Sequence, residues 1–343
     1  MARQRGSSGT RSRVASDTTR RNALAAITAI LFAGRPETTH AQPASDWPNQ
    51  PVRYINIFPP GGATDTLSRL WCAKMGDIAG QPFVVENRSG SGGNVGADAI
   101  AKSKPDGYTI GLGSIAPNAI APTLYKRLAF DAARDFTFVS GLWQLPNLLV
   151  VSKDLPVNSV PELLALLKAN PGKYAYGSSG SGTTPHLSGE LLKQMTGVDI
   201  LHVPYRGGAP ALLDLIAGRV QLIMDNIPGL LPAARDGSIR ALAVTGQRRS
   251  PVVPDLPTMS EFLPGFEMTS WGAVCGPAGL PGPMVSRLSA FAKQALANPE
   301  LVRGFEELGA APWWTTPEDI VAFRAREEAR LAPVIRASGA QVD

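Results

Sequence analysis

Three glycine-rich loops, each following a short apolar run, limit the folds open to this chain. They are Pro60-Gly61-Gly62-Ala63-Thr64-Asp65, Gly113-Ser114-Ile115-Ala116-Pro117-Asn118 and Gly177-Ser178-Ser179-Gly180-Ser181-Gly182-Thr183-Thr184. The runs before them, residues 52–58, 109–113 and 174–177, have the length and the β-branched or aromatic content of strands. The stretches after the first and third loops, 64–79 and 186–196, have helical spacing. Strand, loop and helix alternate along most of the chain, which predicts an α/β fold.

In an open α/β sheet, strand-to-helix loops collect at the carboxyl edge, where ligands bind. Glycine lets backbone N–H groups approach a ligand closely. A helix N-terminus adds unpaired N–H donors and the positive end of its dipole. The hydroxyls of Thr64, Ser178, Ser179, Thr183 and Thr184 add further donors. The pattern predicts a site for a small anion that requires no lysine or arginine. Any single loop is more often only a tight turn; three on one edge favour binding. A fourth, Gly90-Ser91-Gly92-Gly93-Asn94, reads as a further binding loop or as a turn whose Asn94 caps the next helix.

The remaining elements follow the same rhythm. Strands are expected at 83–86, 200–203, 220–224, 240–245 and 271–275, and helices at 95–102, 211–217 and 283–297. Residues 136–142 and 148–151 read as two strands with no helix between them. Ser159-Val160-Pro161-Glu162 has the spacing of a capping box. Thr316-Pro317 opens the last helix with proline in its first turn.

Charge argues against a nucleic-acid or anionic-membrane partner. The net charge is +5, but seven arginines and only two acids fall in residues 1–41, which leaves 26 basic and 26 acidic residues in the rest. Residues 1–41 read as an export signal: a basic stretch, the pair Arg20-Arg21, a short apolar run, and a small-residue cleavage site ending at Ala41. Arg20-Arg21 resembles a twin-arginine signal, with an ordinary secretory signal as the alternative. A periplasmic location follows. Cys72 and Cys275 are the only cysteines and read either as a pair or as two small buried residues. His186 and His202 are the histidines left after processing, and no metal-ligand spacing occurs. Neither a metal nor a cofactor is expected.

Enzyme signatures fail. Gly111-Leu112-Gly113-Ser114-Ile115-Ala116 fits a dinucleotide fingerprint in letters, but it is not the first strand–helix unit and lacks a suitable acid downstream. In the serine loop Ser181 stands where a nucleophile elbow needs glycine. His186 reads as a cap, a core residue or a donor to ligand, and Arg206 as a carboxylate clamp or a surface residue.

Several segments, in order, resemble the substrate-binding proteins of tripartite tricarboxylate transporters, the Bug family. They are INIFPPGGATDTLSR, VVENRSGSGGNVGADAIAKSKPDGYTIGLGS, YGSSGSGTTPHLSGELLK, HVPYRGGAPALLDLIAGRVQLIMDN and GPAGLPGPMVSRL. The resemblance runs from about Trp47 to the C-terminus. It implies a Venus-flytrap fold, with residues 42–147 and 272–343 as lobe 1 and residues 148–271 as lobe 2, joined by crossing strands and closing by hinge motion.

The resemblance also implies ligand contacts at Phe58, Gly61, Gly62, Ala63, Thr64 and Asp65 in the first loop. In the second lobe it implies Ser178, Ser179, Gly182, Thr183 and Thr184. Ser114, Ile115 and Ala116 should line the wall, and Tyr205, Arg206 and Asp225 are further positions. Isoleucine and alanine at 115 and 116 depart from the more polar or smaller residues of many relatives, so the identity of the solute does not follow. The implied protein is a monomeric, non-catalytic receptor for a small carboxylate (a dicarboxylate, amino acid or aromatic acid). Its implied partner is an integral membrane permease of one large and one small subunit. An exported enzyme and a ligand-presenting accessory of a sensor kinase are the alternatives.

Overall fold

The computed structural model describes residues 47–343. The expected export signal, its Arg20-Arg21 pair and the cleavage point near Ala41 lie outside the described residues.

The chain begins with β1 (Val52–Asn56), α1 (Ala63–Ala79) and β2 (Phe83–Asn87). It continues with α2 (Asn94–Ala101) and β3 (Thr109–Ser114). β1 lies between β2 and β3 and runs parallel to both. Burial drives this arrangement: Tyr54, Ile55, Leu67, Trp71 and Met75 are fully enclosed where α1 packs on β1. The Trp71 ring lies 5.3 Å from Tyr54 and 6.1 Å from Phe83, centroid to centroid. Each such side chain contributes roughly 1.5–3 kcal/mol of burial.

After β3 a wide helical turn, Ala116–Ile120, leads into α3 (Ala121–Leu124) and then β4 (Phe136–Ser152). β4 departs from expectation, because the two predicted strands are one strand of 17 residues. Pro146 falls where the strand changes neighbours, so its missing N–H interrupts no continuous ladder. Residues Phe136 to Pro146 pair with β9 (Thr269–Pro277), and Asn147 to Val151 pair with β7 (Leu222–Asn226). β4 therefore runs through both halves of the sheet.

The second half holds α4 (Val160–Ala169), β5 (Ala175–Ser178), α5 (Thr184–Thr196), β6 (Leu201–Pro204) and α6 (Gly208–Ile216). After β7 come α7 (Ile227–Arg235) and β8 (Ile239–Val244). β5 is parallel to β6 and β7, and β8 pairs antiparallel with β4. A separate core of Leu149, Leu163, Tyr176, Leu222 and Phe266 fills this half. The chain then returns through β9, which is antiparallel to both β3 and β4. It ends with α8 (Gly282–Leu296), α9 (Pro299–Glu307), β10 (Ala311–Pro312) and α10 (Pro317–Ala337). The result is a two-lobed α/β architecture. Among the described residues no helix is long and apolar enough to cross a membrane.

Local expectations were met unevenly. Thr316 caps α10 through Asp319 N–H at 3.1 Å. Ser159 accepts from Glu162 N–H at 3.3 Å, but the Glu162 carboxylate accepts from Asn158 N–H at 2.8 Å instead of closing the box on Ser159. Gly93, not Asn94, is the N-cap of α2, and it makes no side-chain cap bond. Cys72 and Cys275 are both buried free thiols.

Candidate functional site

A cavity of about 340 Å³ lies between the two halves. The loop after β1 contributes Phe58 and Gly61 to Thr64, and the loop after β3 contributes Ser114, Ile115 and Ala116. From the other side come Ser179, Thr183 and Thr184 after β5, then Arg206 and Gly207 after β6, and Asp225 at the end of β7. Thirteen of the seventeen residues expected at the site thus line one space.

The first loop is held from behind. Asn56 and Asn87 both donate through Nδ2 to the Phe58 carbonyl, at 3.0 and 3.1 Å. Asp65 accepts from Gly61 N–H at 2.9 Å, from Arg69 Nε at 3.0 Å and from Asn87 Nδ2 at 2.8 Å. Asp65 does not line the cavity; it fastens the loop that does. Burial disfavours its charge, but the hydrogen bonds from Arg69, Gly61 and Asn87 outweigh that and hold its pKa below the ordinary carboxylate value.

The serine loop is held in a comparable way. Ser178 pairs with His202 Nε2 at 2.7 Å and accepts from Gly180 N–H at 3.3 Å. His186 Nδ1 accepts from Gly182 N–H at 3.2 Å, so that nitrogen is unprotonated. Thr183 Oγ1 donates to the Gly180 carbonyl at 2.6 Å. The two imidazoles stack 4.3 Å apart beneath the loop. Burial first, and neighbouring Lys193 second, lowers the pKa of His186 to about 4. Burial first, and His186 second, lowers that of His202 to about 3.

Ser178 and Gly182 are therefore supports outside the cavity. Ser178 and His202 resemble a nucleophile–base pair, but Ser178 is fully buried and cannot reach a ligand. Tyr205 also lies outside. Its hydroxyl donates to Asp214 at 2.8 Å, and its ring borders a second opening of about 650 Å³. That opening is flanked by the fourth glycine loop, Gly90 to Gly93, and meets the first cavity at Phe58 and Ser179.

Four helices start at the cavity without a side-chain cap: α1 at Gly62, α5 at Thr183, α6 at Gly207 and α7 at Asn226. Away from the cavity α4, α9 and α10 are closed by Ser159, Asn298 and Thr316, while α2, α3 and α8 have no side-chain cap. The first N–H groups of a helix have no partner within it, so four sets of donors and four positive dipole ends converge on one space. That arrangement holds an anion. Gly207 allows the approach: its φ is +124°, and a Cβ there would stand 3.2 Å from Pro59 Cγ on the opposite loop.

Asp225 is the exception in this field. It is buried, and it accepts from Ser179 Oγ and from Asn226 N–H at 2.7 Å. Burial raises its pKa against the opposing pull of those two bonds. Arg206 is exposed at the mouth and makes no ion pair among the described residues. Some lining residues escaped the sequence reading, among them Pro59, Pro210, Leu212, Leu213, Leu230 and Ser270. Most are apolar residues with no chemical signature; only their neighbours in the YRGGAP and DN segments gave a signal. No group of side chains that could hold a metal ion occurs among the described residues.

This geometry has known relatives. The model of the tripartite tricarboxylate transporter family receptor matches residues 67–340. The chain belongs to that family. This receptor is 38% identical to the protein BugT of Bordetella pertussis over 301 residues, covering 87% of this chain and 92% of BugT. Among solved structures, a protein of R. palustris with adipate superimposes with a TM-score of 0.84 at 41% identity, over 87% of this chain and 100% of that one. MatC of Rhodopseudomonas palustris, with bound malate, superimposes with a TM-score of 0.79 at 32% identity, over 84% of this receptor and all of MatC, 100%.

Proposed function

We propose that this chain is a periplasmic solute-binding receptor that holds one carboxylate of a small organic acid in the cleft and catalyses no reaction. The observation that carries this reading is the convergence of the uncapped N-termini of α1, α5, α6 and α7 on one cavity. A carboxylate leaving water must recover its hydrogen bonds, and these termini supply them from both sides of the cleft. The ligands of the two relatives, adipate and malate, are both carboxylates, which supports the same class here.

In this reading residues 42–147 and 272–343 form lobe 1, residues 148–271 form lobe 2, and β4 carries one of the crossings between them. The protein acts as a monomer. Ligand favours the closed form only through its preference for that form. A two-subunit integral membrane permease then takes the ligand. The N-terminal segment 1–41 directs export and is removed near Ala41.

The experiment is a thermal-shift screen of the purified protein against carboxylates, run before and after unfolding and refolding to strip retained ligand. A ligand of the native state raises the midpoint by mass action. Silence in both runs contradicts the receptor reading. Turnover of a bound carboxylate, lost in Ser179→Ala, establishes an enzyme instead.

A further inference from the structure

We infer that the ligand carries its anchoring carboxylate on a hydrocarbon body, aromatic or alkyl, and not on a short hydroxylated one. The inference rests on the receptor reading above and follows from which donors in the cavity remain free.

Most of the polar groups that face the cavity are already engaged. Ser179 gives its hydroxyl proton to Asp225, so it offers a ligand only lone pairs. Thr183 donates to the Gly180 carbonyl at 2.6 Å, and Thr184 is directed to Asn147 Oδ1 at 3.4 Å. Asn226 Nδ2 donates to the same Asn147 oxygen at 2.7 Å. What remains among the described residues is the helix N–H groups, the hydroxyls of Thr64, Ser114 and Ser270, the second N–H of the Asn226 amide, and the exposed Arg206 at the mouth. These suit an anionic head.

The rest of the wall offers no side-chain donor. Ile115 and Ala116 are 2% and 3% exposed, and they close the inner side. Leu212, Leu213 and Pro210 of α6, with Leu230 of α7, form the other side. Leu213 is 66% exposed, the highest value among the large hydrophobic side chains left at the surface. Isolated exposed leucines are ordinary, but this one borders a cavity beside two further leucines, where a hydrocarbon body would cover it. A cavity of about 340 Å³ sits at the small end of ligand pockets, which fits an acid of modest size. Burying each methylene multiplies affinity by roughly fourfold. A ligand hydroxyl on this wall would lose its water and gain no partner.

The test is calorimetric titration of the refolded protein with butyrate, hexanoate, benzoate and adipate, and in parallel with malate, citrate and aspartate. The expected result is that hexanoate binds about tenfold or more tighter than butyrate, and that the hydrocarbon acids outrank the polar ones by at least about tenfold. Leu213→Gln, at an exposed position, should leave the fold intact and weaken hexanoate several-fold with little effect on butyrate. If malate, citrate or aspartate binds as tightly as the best hydrocarbon acid, the inference is overturned and the receptor reading stands. If no acid binds, both are overturned.

Discussion

The hydroxyl of Tyr125 stands 3.3 Å from the carbonyl oxygen of Ser181 and 3.2 Å from that of Ser91, so one side chain joins the serine loop to the fourth glycine loop. The same two loops touch at Gly92, where a Cβ would lie 2.7 Å from Ser181 O and φ is +65°. Both contacts link a loop of one half to a loop of the other. Tyr125→Phe should therefore raise the dissociation constant about three- to tenfold, the value of one modest hydrogen bond, with little change in the melting temperature without ligand. Gly92→Ala should weaken binding more, because it introduces both a clash and an unfavourable backbone. Calorimetry paired with small-angle scattering with and without ligand checks this; equal affinity in both variants contradicts the contact's role in closure.

Asp65 acts on binding through the loop it fastens. Asp65→Ala removes the acceptor shared by Gly61, Arg69 and Asn87. Affinity should fall by about tenfold or more, and stability by about 1–3 kcal/mol, with a folded far-UV spectrum retained. Thr183→Val, which loses the bond to the Gly180 carbonyl, should weaken binding with a smaller loss of stability. Unchanged affinity in both variants would remove the two loops from the site.

Acid should destabilise the protein through the stacked histidines. The folded pKa values of His186 and His202 are lowered to about 4 and about 3, against about 6.5 in an unfolded chain. Between those values the unfolded state binds more protons, so stability falls as pH drops below 6.5 and is level above 7. Glu190 and Lys193, which pair at 3.1 Å beside the rings, and Tyr176, which donates to Glu190 at 2.7 Å, share this environment. Two fully buried rings would cost roughly 4 kcal/mol between pH 7 and pH 5; His202 is partly open to solvent and its share is about halved, so the expected loss is about 3 kcal/mol. Urea titrations at both pH values measure it. His202→Gln should flatten the dependence by about a third, and an unchanged slope would place the protons elsewhere.

The sequence reading reached the elements that carry strong local signals. Glycine loops after strands placed Gly61 to Thr64 and Ser114 to Ala116 at the cavity, because loop position alone decides which edge of a sheet they occupy. It could not separate residues that face the ligand from those that hold the loop. Asp65 and Ser178 lie within or beside such loops, yet their side chains turn inward to Arg69 and His202. That choice depends on partners 4 and 24 positions away in the chain. No helix was expected over α7, whose Pro228, Gly229 and Pro232 are poor helix formers; Pro228 falls in its first turn, where no N–H is needed. α9 was also missed, although the signal was present: Asn298 caps it through Glu300 and Leu301 N–H groups, with Pro299 following. The wall of Leu212, Leu213 and Leu230 had no signal at all, since an amphipathic helix does not reveal whether its apolar face meets core or ligand.

The central claim is that helix N-termini hold a carboxylate, and its most direct test compares an acid with its neutral isostere. The refolded protein is titrated with hexanoate, benzoate and adipate, and then with the primary amide of the tightest binder. Loss of the charge removes the dipole interaction and presents an N–H₂ group to an array of donors. The account predicts at least about a hundredfold weaker binding of the amide. An amide that binds as tightly as its acid would show that the N-termini of α1, α5, α6 and α7 do not hold an anion, and would contradict the account.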